Sequence, residues 1–116
     1  MCHVLVIEDD FLIADHIIQL VERAGGTSFD QAASQDEAIE AARLHFPSII
    51  MSDVNLSTGT GPAAVDAIIA EHGPTPVIFV TGTPGACHPR HPSMVVLDKP
   101  IDERALIAAF RSLAPA

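Results

Sequence analysis

The stretch VLVIEDD, Val4 to Asp10, sets four consecutive branched apolar residues directly before three carboxylates. Apolar residues that run together, rather than alternating with polar ones, mark a strand covered on both faces. Such strands belong to parallel sheets packed between helices. Three like charges at the end of a buried strand repel one another, so a positive partner is required. A divalent cation is the expected balance.

Outward from this strand the chain alternates short apolar runs with amphipathic ones. DFLIADHIIQLVERAGG follows, with Ile13, Ile17, Leu20, Val21 and Ala24 at helical spacing, Asp10 placed to cap it and Gly25-Gly26 to end it. TSFDQAA reads as a second strand. SQDEAIEAARLHF carries a Ser-x-x-Glu capping box, Ser34 with Glu37, ahead of Ala38, Ile39, Ala42 and Phe46. PSIIMSD gives a third strand ending on Asp53. Beyond the loop VNLSTGTG, Pro62 begins a helix that Gly73-Pro74 stops. TPVIFVT is the fourth strand, ending at Thr81, SMVVLDK the fifth, ending at Lys99, and DERALIAAFRSLA a closing helix. This alternation predicts one α/β domain over residues 1–116, a doubly wound sheet of five parallel strands.

One segment breaks the rhythm. Between the fourth and fifth strands, where another helix is expected, GTPGACHPRHPS holds Pro84, Pro89 and Pro92. Each removes a backbone donor and disfavours a helical residue before it, so that helix should be shortened or replaced by a loop over residues 82–93.

Composition excludes several functions. The net charge is −9, with six Lys plus Arg against fifteen Asp plus Glu, so no basic patch for nucleic acid is expected. Without Trp or Tyr, stacking platforms for bases are also missing. No apolar run approaches the roughly 20 residues of a membrane span, and MCHVLVIEDD lacks the basic start and cleavage site of a signal peptide. A cytoplasmic protein is the expectation, with Cys2 and Cys87 as free thiols. Cys87, His88 and His91 in CHPRH could ligate zinc, but their spacing matches no closed site. His16, His45 and His72 fall on different helices and should face solvent.

In open parallel sheets, ligands collect outside the carboxyl ends of the strands, where strand order reverses. If the order is 2-1-3-4-5, the first and third strands are neighbours there. Glu8, Asp9 and Asp53 would then share one acidic pocket, flanked by the Thr81 hydroxyl and the Lys99 ammonium.

Taken together in order, VLVIEDD, PSIIMSDVNL, PVIFVTG and VVLDKP resemble the four signature segments of the receiver domain of the two-component response-regulator family, with its CheY-like, flavodoxin-like fold. The resemblance covers essentially the whole chain. It implies that Asp53 accepts a phosphoryl group from a phosphohistidine on a sensor histidine kinase or phosphotransfer protein. It further implies a Mg²⁺ ion on Asp9, Asp53 and the backbone carbonyl of Asn55, with Glu8 acting through water. Lys99 would bridge Asp53 to the phosphoryl oxygens and Thr81 would donate to one of them. A cis bond between Lys99 and Pro100 is implied as well.

The chain also departs from the family pattern. Receivers commonly couple the Thr or Ser hydroxyl to an aromatic ring three positions before the lysine, and here that position is Val96. PVIFVTGTPG partly resembles a Phe-x-x-Thr-Gly subgroup that lacks this aromatic, so the switch should involve Thr81 and the loop after it instead. With no length left for an output domain, a stand-alone receiver is expected, acting on an unknown downstream protein or as a phosphoryl relay or sink. Two other classes compete. One is a phosphate-independent binding module on the same fold, against which the full acidic set, hydroxyl and lysine argue. The other is a Mg²⁺-dependent hydrolase with an aspartyl nucleophile. Such enzymes of the haloacid dehalogenase type place a second Asp two residues after the first, where this chain has Asn55.

Overall fold

The structure is a computed structural model and describes residues 2–82 and 94–114. Its five strands are β1 (His3–Ile7), β2 (Ser28–Ala32), β3 (Ile49–Ser52), β4 (Val77–Thr81) and β5 (Met94–Asp98). They pair in parallel in the order β2-β1-β3-β4-β5, as expected for the flavodoxin-like doubly wound architecture. Among the described residues four helices accompany them: α1 (Phe11–Ala24), α2 (Gln35–Leu44), α3 (Gly61–His72) and α4 (Glu103–Leu113). The shortened helix or loop expected between β4 and β5, with Cys87, His88 and His91, lies at residues 83–93, outside the described residues.

Strand geometry divides the core in two, because successive side chains point to opposite faces of a sheet. From β1, Val4 and Val6 join Ile17, Leu20 and Val21 of α1 and Phe110 of α4. Leu5 and Ile7 join Ala38 and Ala42 of α2 and Val65 and Ile68 of α3. Every residue of β1 is buried, which is why its apolar run is unbroken. Among the described residues no helix is long and apolar enough to cross a membrane.

The caps follow the sequence closely. Asp10 Oδ1 accepts from the amides of Leu12 and Ile13 at 2.9 and 3.3 Å, so this third carboxylate serves α1 and not the acidic pocket. Ser34 Oγ accepts from Glu37 N at 3.2 Å, while Glu37 Oε1 reaches the amide of Ala33, one residue before the cap. Several boundaries differ. β3 ends at Ser52 and β5 at Asp98, leaving Asp53 and Lys99 just beyond the strands. α2 ends at Leu44, so Phe46 lies past the helix, 41% exposed and edge-on to His72. The expected Phe-x-x-Thr-Gly spacing is one residue too long: Phe79 and Thr81 flank a single residue, and both belong to β4. Val96 pairs in register with Phe79 and is half-buried against the same core.

The three histidines expected on helices are not simply solvated, and His45 caps α2 rather than lying in it. His16 Nε2 lies 3.0 Å from Glu103 Oε2, joining α1 to α4. The His45 ring stacks on His3, and His72 meets Phe46 and Glu71.

Candidate functional site

The register of β1 against β3 sets Ile7 beside Ser52, and the Asp53 amide donates to the Ile7 carbonyl at 2.8 Å. The next residues along the two strands, Glu8 and Asp53, therefore emerge side by side where the strand order reverses. Carboxylate oxygens of Glu8, Asp9 and Asp53 all lie within 4.8 Å of one another. Glu8 is 1% exposed, while Asp9 and Asp53 are half-buried at the rim.

Among the described residues, one cation faces this group. Lys99 Nζ donates to Glu8 Oε1 at 3.1 Å and to Asp53 Oδ2 at 3.2 Å. Its backbone amide donates to the Thr81 carbonyl at 2.8 Å, tying the ends of β4 and β5 together. The peptide bond between Lys99 and Pro100 is cis, as the family resemblance implies. Thr81 is buried at the end of β4. Asn55 is exposed in the loop after β3, in an isolated antiparallel bridge with Thr60.

The site also uses groups the sequence did not single out. The Val54 amide donates to Asp53 Oδ1 at 2.7 Å, fixing the carboxylate plane from the side opposite Lys99. The Ser57 amide donates to Asp9 Oδ2 at 2.8 Å, so the loop after β3 holds the carboxylate at the end of β1. Gly61 opens α3 against the backbone of Asp53, and its amide donates to the Val54 carbonyl at 2.9 Å. A glycine immediately before a helix-opening proline was the one available signal for this close approach.

The protonation states reflect the crowding. Burial, reinforced by the negative charge of Asp53, pushes Glu8 up to about 7 against the opposing pull of the Asp10 amide and Lys99. Asp9 lies below its ordinary value. Its slight burial acts upward, but hydrogen bonds from Glu8 and Ser57 outweigh it. Lys99 is raised, since its contacts with Glu8 and Asp53 overcome the opposite effect of burial.

This donor set fits a hard divalent cation. Among the described residues three carboxylates face a single ammonium, leaving excess negative charge on oxygen donors, and no soft ligand is among them.

Residues 4–111 match the family model of the response regulator receiver domain. The chain belongs to that family, and is a receiver domain of the kind used in two-component signalling. It is 32% identical over 84 residues to a protein-glutamate methylesterase/protein-glutamine glutaminase of Nitrosospira multiformis, covering 72% of this chain and 23% of that protein. It is 33% identical over 84 residues to the phyllosphere-induced regulator PhyR of Methylorubrum extorquens, covering 70% of this chain and 31% of that one. The chain thus spans less than a third of the length of these curated relatives. In three dimensions it is similar to the receiver domain of the Erythrobacter litoralis PhyR response regulator, solved by NMR. The TM-score is 0.86 at 27% identity, over 99% of this chain and 95% of that one.

Proposed function

We propose that this receiver takes a phosphoryl group on Asp53 from a phosphohistidine of a sensor histidine kinase or phosphotransfer protein, and signals through protein contacts. The observation that carries this reading is the bridge of Lys99 between Glu8 and Asp53, inside a cluster of three carboxylates.

Phosphoryl transfer asks mainly for positioning and charge stabilisation. The Val54 amide and Lys99 hold opposite oxygens of Asp53, so the nucleophile is oriented before a donor arrives. A carboxylate oxygen of Asp53 forms the new O–P bond as the N–P bond of the donor breaks. The imidazole nitrogen leaves with the electron pair and, where the other ring nitrogen carries no proton, takes one from solvent. Lys99 then faces the phosphoryl oxygens, and the hydroxyl of Thr81 donates to one of them.

Mg²⁺ would be held by Asp9, Asp53 and the carbonyl of Asn55, with Glu8 acting through water. When bound it neutralises the acidic cluster and the incoming phosphoryl oxygens. The hydrogen bond from the Ser57 amide, which orients the Asp9 carboxylate, supports this reading.

Incubation with a small N–P donor such as phosphoramidate tests the chemistry without a partner. Formation of an acid-stable, base-labile acyl phosphate in Mg²⁺, abolished by a chelator, supports the reading. Equal modification with and without Mg²⁺ contradicts it.

A further inference from the structure

A second group of metal-ligating side chains occupies the other end of the sheet. His3 begins β1, Asp30 lies in the neighbouring strand β2, and His45 caps the C-terminus of α2. A nitrogen of each imidazole and an oxygen of Asp30 lie within 4.8 Å of one another. Since β1 rises by about 3.3 Å per residue, His3 sits roughly 16 Å from Glu8, at the amino end of its strand, with Asp30 two residues into β2.

His3 is held at both nitrogens. Its Nδ1 lies 2.7 Å from Ser28 Oγ and its Nε2 lies 2.9 Å from Asp30 Oδ2, with the side chain 8% exposed. In one tautomer Nε2–H donates to Asp30; in the other, whose Nδ1–H donates to Ser28, the Nε2 lone pair faces the Asp30 carboxylate and is open to a proton or a metal ion. That is the arrangement of a ligating histidine, whose second ring nitrogen donates to an outer partner that fixes tautomer and orientation. Asp30 keeps access to solvent, with its side chain 40% exposed. The third ligand is already in contact: the His45 ring stacks on His3 with centroids 3.6 Å apart and planes 14° from parallel.

We propose that His3, Asp30 and His45 form a binding site for a late first-row divalent ion of the Zn²⁺ class, distinct from the Mg²⁺ site. Two imidazoles and one carboxylate suit such borderline ions, whereas the all-oxygen pocket around Asp53 suits hard ones. Parallel rings do not aim their lone pairs at one point, so the exposed His45 side chain turns on metal entry while Ser28 holds His3 in place. Solvent supplies the fourth ligand, and the loaded site fastens the end of α2 to the edge pair β1–β2.

The test is calorimetric titration of Zn²⁺ into the tag-free chain in saturating Mg²⁺. The wild type is compared with His45→Phe, which keeps a flat ring over His3 but has no lone pair. A Cys87→Ser/His88→Ala/His91→Ala variant removes the competing ligands in CHPRH. One equivalent of Zn²⁺ is expected, its affinity kept in the CHPRH variant and lowered about tenfold or more in His45→Phe. Circular dichroism of His45→Phe confirms the fold, and histidine ring resonances of His3 and His45 should shift on adding Zn²⁺. Unchanged affinity in His45→Phe, or loss of binding in the CHPRH variant instead, overturns the proposal.

Discussion

Gly61 approaches the backbone of Asp53 so closely that a Cβ on it would sit 1.7 Å from the Asp53 carbonyl oxygen. This contact seats the start of α3 under the end of β3, and with it the loop that supplies Asn55 and Ser57. Gly61→Ala is expected to destabilise the chain by about 2 kcal/mol or more, although alanine favours helices by roughly 1 kcal/mol over glycine. Urea unfolding measures the sign. An alanine variant as stable as the parent would show that the loop can move away without cost.

Adjacent aspartates should separate cleanly. Asp10 caps α1 and Asp9 points at the acidic cluster. Asp10→Ala should cost about 1 kcal/mol of stability and leave Mg²⁺ affinity within about twofold. Asp9→Ala should abolish most Mg²⁺ binding with little loss of stability. Paired urea and Mg²⁺ titrations decide, and the reverse pattern would contradict the assignment.

The raised value of Glu8 links stability to pH in the metal-free chain. The folded carboxyl titrates near 7 and the unfolded one near 4.5, so between these values the folded state binds the extra proton. Its favourable contribution is complete below about 4.5 and is lost as pH rises through about 7. The size is on the order of 3 kcal/mol. In a chelator, wild-type stability should fall between pH 5 and pH 8, and Glu8→Gln should flatten that slope. A slope unchanged by Glu8→Gln would place the proton elsewhere.

Removing Lys99 should separate folding from chemistry. Lys99→Ala leaves Glu8 and Asp53 facing each other without their cation. The metal-free variant should lose about 1–3 kcal/mol at pH 8 and recover part of it on adding Mg²⁺. Modification of Asp53 should slow by a factor of about 10² or more even where the variant is fully folded. Quench-flow with a small N–P donor reads this rate, and a rate equal to wild type would remove Lys99 from the mechanism.

The fold was readable because its central strands, β1, β3 and β4, are covered on both sides. Val4 to Ile7 and Val77 to Thr81 are uninterrupted apolar or β-branched runs, and the residues ending them reach the sheet edge wherever the strands are parallel. Glu8, Asp53 and Lys99 could be assembled from that rule and the family resemblance. Other features depend on loop paths and tertiary contact, which carry no local signature. Ser57 reaches Asp9 only because the loop after β3 folds back across the neighbouring strand end. His45 looked like a solvated helix residue, yet the end of α2 lays its ring on His3. Phe46 matched the helical period, but the helix ends before it at Leu44.

The central claim is that Asp53 is a phosphoryl acceptor. Intact-mass spectrometry after incubation with histidine kinases, ATP and Mg²⁺ measures this directly, with Asp53→Asn in parallel. A single phosphoryl adduct on the wild type, absent from Asp53→Asn, is the expected result. An adduct that persists in Asp53→Asn would contradict the account.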